Sequence, residues 1–185
     1  MPEPVIVEVA VGVPADAVWR ALRDPGEIRR WHGWDYEEGG GLEGEIRQIY
    51  LGGARADAGR LTLDTGAGAF SLEPRGAGTI VRVTRAAPEG HEGWGGIYDE
   101  INEGWLSFVQ QLRLYLERHA GEDRRTIHLE REIPVPEGEL WFRSEHQTGV
   151  LLGDYGLMIA AHGRTIVSTY GLSDDAFDAL ARHIG

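Results

Sequence analysis

Between residues 98 and 119 apolar side chains recur at helical spacing. Ile101, Trp105, Phe108, Leu112 and Tyr115 follow at intervals of four, three, four and three, and Leu106, Val109 and Leu116 widen the stripe. The spacing predicts a helix from about Tyr98 to His119, ended by Ala120-Gly121. A helix with one broad apolar face needs another layer to cover it. A strongly curved sheet gripping such a helix leaves a cavity wherever the facing residues do not fill the space.

The residues before the helix supply that sheet. Val5, Val7, Val9 and Val11 alternate with other residues, which predicts a strand with one buried face. Gly12 and Val13 turn the chain, and Pro14 suits the start of a helix through ADAVWRAL. Asp24-Pro25-Gly26 stops that helix, and a second short one is expected over Glu27–Trp31. From Trp34 to Arg85 glycine-rich turns separate alternating runs: Ile46–Leu51, Leu61–Leu63, Phe70–Leu72 and Ile80–Thr84. Short strands at this spacing predict an antiparallel meander. The clearest hairpin joins Phe70–Pro74 to Thr79–Arg85 through Arg75-Gly76-Ala77-Gly78.

Residues 121–185 carry further strand-like runs at Thr126–Ile133, Gly149–Leu152, Gly156–Ala161 and Thr165–Tyr170. His162-Gly163 reads as a hairpin turn between the last two. A closing helix has Ser173 at its N-cap, Asp174 and Asp175 in its first turn, Leu172 placed to pack on Phe177, and a stripe of Phe177, Leu180, Ala181 and Ile184. Glu8, Val13, Pro14 and Trp19 match Glu130, Val135, Pro136 and Trp141 at equal spacing. Either this is coincidence, or the tail is a shortened second copy running strand, helix, three strands, helix. The fold expected is α+β: an antiparallel sheet over residues 1–120 wrapped on a long C-terminal helix, with a smaller βα appendage over 121–185.

Composition narrows the chemistry. The 185 residues hold 18 basic side chains, all of them Arg, against 30 acidic ones, for a net charge of −12. That balance argues against nucleic acid or anionic lipid held by a general positive surface. Cysteine is absent, which removes thiol nucleophiles, disulfides and Cys-ligated zinc. No run approaches the roughly 18 apolar residues of a membrane span. The opening MPEPVIVEVAV lacks the basic-then-apolar pattern of a secretory leader, so a cytoplasmic protein is expected.

Three blocks, in order, resemble a known superfamily. A strand followed by VPADAVWRALRDPGEIRRW, the paired-strand segment FSLEPRGAGTIVRVTRAAPEG, and the helix Glu103–Leu116 are similar to the SRPBCC (START-like, Bet v 1-like) superfamily. The helix resembles its activator-of-Hsp90-ATPase-homologue-1-like branch. The likeness covers about residues 5–119; the short middle strands and the tail depart from the usual pattern. It implies a helix-grip fold in which the long helix walls a cavity and the segment after the short helices borders the entrance. Members of the superfamily include lipid carriers, cyclases, oxygenase subunits and proteins of unknown role.

On that resemblance the ligand-binding candidates are Trp31, His32, Trp34, Trp94, Tyr98, Trp105, Phe108 and Leu112. Aromatic walls would give affinity and one or two polar groups would orient a small, largely apolar molecule. Gly93-Trp94-Gly95-Gly96 reads as a lid beside the helix, since no Lys exists to complete a phosphate loop. A cyclase or dehydratase using His32, Asp35 or Tyr98 as acid–base groups is an alternative. A chaperone-associated interaction module is another. No catalytic motif is present, and no cofactor or metal is expected, because His32, His91 and Glu92 lack a converging spacing. Arg29-Arg30 and Arg124-Arg125 are expected on a solvated surface. His146 suits a loop or a subunit contact, and a homodimer stays open.

Overall fold

The opening alternation forms β1 (Val5–Val11), with Val7, Val9 and Val11 buried. Pro14 holds the extended N-cap of α1 (Ala15–Arg23), which buries Val18, Ala21 and Leu22. Asp24 ends α1 and starts α2 (Pro25–Ile28): its carboxylate accepts the Glu27 N–H at 3.1 Å. The computed structural model describes residues 4–85 and 95–185.

The run Ile46–Leu51 is not the strand its alternation suggests. It continues α3 (Gly41–Ile46) as one wider π-helical turn, Arg47–Leu51. Leu42, Ile46 and Tyr50 are buried four residues apart while Gln48 is exposed, so the helical period decides. Gly41 is required at its position: φ is 61°, and a Cβ would stand 2.5 Å from the Tyr36 carbonyl oxygen.

Four strands follow: β2 (Arg55–Asp57), β3 (Thr62–Asp64), β4 (Ala69–Arg75) and β5 (Gly78–Thr84). They join β1 in one antiparallel sheet of order β1-β5-β4-β3-β2, with Val9 opposite Val81 and Phe70 opposite Val83. The β4–β5 hairpin is the one expected. The long helix, α4, spans Gly95–Arg118 and packs on β1. Gly121, at φ 87°, follows its end.

The tail builds a second antiparallel sheet of five strands, no smaller in strand number than the first. Its strands are β6 (Arg124–Leu129), β7 (Leu140–Arg143), β8 (Gln147–Leu151), β9 (Gly156–Ala161) and β10 (Arg164–Tyr170), in the order β6-β10-β9-β8-β7. The order repeats that of the first sheet, strand for strand. The helix that the second-copy alternative would place before Trp141 does not form; Trp141 lies in β7, and residues 130–139 are irregular. Pro134 and Pro136 keep this segment extended, and Gly138 passes so close to β8 that a Cβ would meet Leu151 O at 2.8 Å. The last helix, α5 (Asp174–Ile184), is capped by Ser173 as expected, whose hydroxyl accepts the Ala176 N–H at 3.3 Å.

The second sheet packs within the chain, on the side of α4 away from β1. Ser168 Oγ donates to Gln111 Oε1 at 2.8 Å, Ser107 Oγ donates to Gln147 Oε1, and Tyr170 stacks on Tyr115. From Asn102 to Glu117 no residue of α4 is exposed. Two antiparallel sheets and a long helix make an α+β architecture consistent with a helix-grip fold. No helix among the described residues is long and apolar enough to cross a membrane.

Candidate functional site

Beside the N-terminal half of α4, a cleft of about 960 Å³ opens against β3 and the β3–β4 turn. Trp105 and Phe108 line it from the helix, and Thr62, Asp64, Gly68 and Ala69 from the sheet. The turn is tight: Thr65 donates to the Gly68 carbonyl through its N–H at 3.0 Å and its hydroxyl at 2.7 Å. Gly68 therefore lies against the indole of Trp105, where a Cβ would stand 3.5 Å from the ring. Trp105 meets Phe70 and Phe108 edge-on at centroid distances of 5.5 and 6.0 Å. Ile101, 38% exposed, adds an apolar rim.

Charged groups surround this aromatic floor. Asp64 is held below the usual carboxylate range by the Gly66 N–H and then by Arg55, with which it pairs at 3.0 Å. Arg85 and Glu100 also line the cleft. Arg164 reaches it from the start of β10 in the second sheet. Burial pulls the Arg164 guanidinium below its ordinary pKa, opposed by the charges of Glu100 and Glu103.

Behind Phe108 lies a closed polar chain. His32 is fully buried, with Nε2 3.0 Å from Glu45 Oε1 and Nδ1 3.0 Å from the Tyr50 hydroxyl. Glu45 is held ionised by the His32 hydrogen bond, and an ionised carboxylate only accepts. Nε2 therefore carries the proton, and Nδ1 accepts from Tyr50. Tyr36 donates its hydroxyl to the other Glu45 oxygen at 2.8 Å; burial and this bond push its pKa up to about 12. Burial lowers the His32 pKa despite Glu45, and burial raises that of Tyr50 well above the usual phenol value.

The expectation that Arg124 lies on the surface is overturned. Its guanidinium is buried and donates to the carbonyls of Trp31 (2.7 Å), Gly33 (3.1 Å) and His32. These three carbonyls end the short helical turn after α2, where no backbone donor follows. Beside it Asp35 accepts from Thr126 N–H at 3.0 Å and Thr126 Oγ1 at 2.9 Å, and pairs with Arg29 at 2.9 Å. The segment after α2 is thus fastened to β6.

Of the eight residues singled out from sequence, Trp105 and Phe108 line the cleft. Trp31 and Leu112 do not; both are fully buried, and Trp31 Nε1 donates to the Ala21 carbonyl at 2.9 Å. Both are core residues because their neighbours fill the space the cavity reading left open. His32 is sealed behind Phe108, 4.5 Å away between ring centroids. Trp34 is half-buried and stacks on His128 at 4.2 Å, with the Arg164 guanidinium 5.9 Å from its ring centre. Trp94 lies outside the described residues; the backbone of Tyr98 is in α4, and its side chain also lies outside them. Arg164 was missed. Its signal was a charged residue directly after the His162-Gly163 turn, at the head of a strand that is otherwise buried.

No protein-family model matches the chain, and no curated protein gives a significant match. Solved structures with a similar chain path include DynU16, from the dynemicin biosynthetic locus, at 16% identity over 96% of this chain and 92% of that one, TM-score 0.40. The di-domain ARO/CYC BexL, from the BE-7585A biosynthetic pathway, shares 12% identity over 98% and 88%, TM-score 0.47. The di-domain ARO/CYC StfQ, from the steffimycin pathway, shares 12% over 94% and 86%, TM-score 0.41. At these values the likeness assigns neither substrate nor residue role to this chain.

Proposed function

We propose that this chain binds a small, largely apolar molecule in the cleft between the β3–β4 turn and α4. The observation that carries the reading is the pair Trp105 and Phe108, presented to a space of about 960 Å³ with charged groups at its edge. Ligand sites commonly combine an apolar lining, a volume of roughly 300–1,000 Å³ and a few polar groups. Burial of an apolar body against the two rings would supply affinity.

Mass spectrometry of protein purified without denaturation tests this directly. A copurified small molecule is expected, and its binding should weaken about tenfold or more in Ile101→Asp, which puts a charge on the apolar rim without touching the core. Trp105→Ala should abolish binding, but it also removes a buried indole at a cost of about 3–5 kcal/mol, so the rim variant carries the test. Unchanged affinity in a folded Ile101→Asp protein would sink the assignment.

A cyclase or dehydratase reading would need an acid or base at the cleft. Of the groups named for it, His32 and Asp35 are committed to internal hydrogen bonds, and the Tyr98 side chain lies outside the described residues. Of the acids lining the cleft, Asp64 is paired with Arg55 and Glu100 stands at the rim. Chaperone docking gains no support from the fold or from the comparisons. In organisation, residues 1–120 would form one START-like unit and 121–185 a shortened second copy of it, which lends Arg164 to the cleft. The repeated strand order supports that division.

A further inference from the structure

We infer that the bound molecule carries an acidic group, a carboxylate or similarly compact anion, and that Arg164 is the residue that selects for it. The inference rests on the cleft being the ligand site.

Arg164 differs from several other arginines of the chain in what its side chain lacks. Arg20, Arg29, Arg82 and Arg113 each lie within ion-pair distance of a carboxylate. The Arg164 guanidinium has no hydrogen bond and no carboxylate within 4.0 Å among the described residues. Glu100 and Glu103 influence it only at longer range. The Glu103 carboxylate is already engaged by Ser144 Oγ at 3.0 Å and Gln147 Nε2 at 2.5 Å. A guanidinium partly removed from water, with the Trp34 ring 5.9 Å away and acids only at longer range, has lost hydration without a contacting counter-ion to replace it. A ligand anion would restore the balance.

The placement suits that task. Arg164 sits opposite Ala161 where the β9–β10 hairpin begins, so its backbone is held by a ladder rather than by a loose loop. Its side chain lines the main cleft and a neighbouring hollow of about 500 Å³. The guanidinium fork matches two carboxylate oxygens at once. Asp64, the acid on the opposite wall, is occupied by Arg55. An apolar body lying on Trp105 and Phe108 would thus present its acid towards the second sheet. Recognition would draw on both sheets, one for the body and one for the charge.

Two fluorescent probes with nearly the same body separate the terms: 1-anilinonaphthalene-8-sulfonate is anionic, and N-phenyl-1-naphthylamine is uncharged. Both would be titrated into the full chain, its Arg164→Gln and Ile101→Asp variants, and an exposed control, Arg60→Gln. The loss of a charge-assisted hydrogen bond predicts sulfonate binding about tenfold weaker or more in Arg164→Gln. The uncharged probe should be unaffected, and Arg60→Gln should alter neither. Equal weakening of both probes, or no change in either, would overturn the selection. If Ile101→Asp still weakens both probes, the cleft reading survives that failure. If Ile101→Asp affects neither probe, or neither probe binds, the cleft reading falls and this inference falls with it.

Discussion

The two sheets share one strand order and put it to different uses. In the first, 43 residues between β1 and β2 (12–54) hold α1, α2 and α3, and the sheet's far edge stands off from α4 to leave the cleft. In the second, only residues 130–139 separate β6 from β7, and they form no helix. There β9 is buried at every position and β10 at all but its first. The strand plan alone therefore does not make a cavity. The difference lies in what is inserted after the first strand, and in which residues α4 turns to each side: Trp105 and Phe108 to the cleft, Ser107 and Gln111 to hydrogen bonds with the second sheet.

The comparison can be broken most forcefully at Arg124, the fastening between the two halves. Arg124→Met should cost about 3 kcal/mol or more in urea unfolding, since the buried Trp31 and His32 carbonyls lose their donor and Gly33 keeps only Gln111. A loss under about 1 kcal/mol would mean that the second sheet docks without it. A smaller effect, centred on His32 with a lesser share from half-buried His128, is expected from pH. The His32 pKa is lowered by folding, so the unfolded chain takes up a proton first. Stability is therefore complete above about 6.5, the ordinary His value, and falls as pH drops below it, by up to about 1.4 kcal/mol per pH unit. The depressed Glu45 pKa adds a loss of the same sign at lower pH, as that carboxylate protonates. Urea midpoints from pH 7.5 to 5 should show the decline in the native chain and a flatter profile in His32→Gln; parallel profiles would remove His32 as the cause. The smallest effect belongs to α5, none of whose residues is buried. Ser173→Ala should cost about 0.5–1 kcal/mol by thermal melting and leave the pH profile unchanged; a loss above about 2 kcal/mol would show α5 to be a larger support than its exposure suggests.

What could be read from sequence followed the apolar periods. The β1 alternation, the β4–β5 hairpin, the α4 stripe and the α5 cap carry local signals, and all four formed. Ile46–Leu51 failed because a run of six satisfies both periods, and the neighbour that settles it, Leu42, lies outside the run. β7 failed because proline and glycine precede it and its four residues show no clean alternation, although it pairs with β8 across a short turn at Ser144–Gln147. The site was legible on the helix side, in Trp105 and Phe108, and hidden on the other. Arg124 and Arg164 stand at the heads of strand-forming runs, one beside Arg125 and one after His162-Gly163, and those letters do not tell a surface arginine from a buried one. Ser107 and Gln111 were hidden for the same reason: a polar face on an amphipathic helix normally meets water, and here it meets a sheet.

That last point bears on how this chain can vary. Between Asn102 and Glu117, α4 has no fully exposed residue; Asn102, Leu106, Arg113 and Glu117 are half-buried and the rest is mostly covered. On most helices the polar face is where substitutions accumulate at little cost. Here a change at Gln111 must satisfy Ser168 and the Gly33 carbonyl together, and a change at Trp105 must satisfy Phe70 and whatever occupies the cleft. The middle of α4 should therefore drift slowly in both its polar and its apolar letters, and the freedom to diverge is left to the loops and to α5.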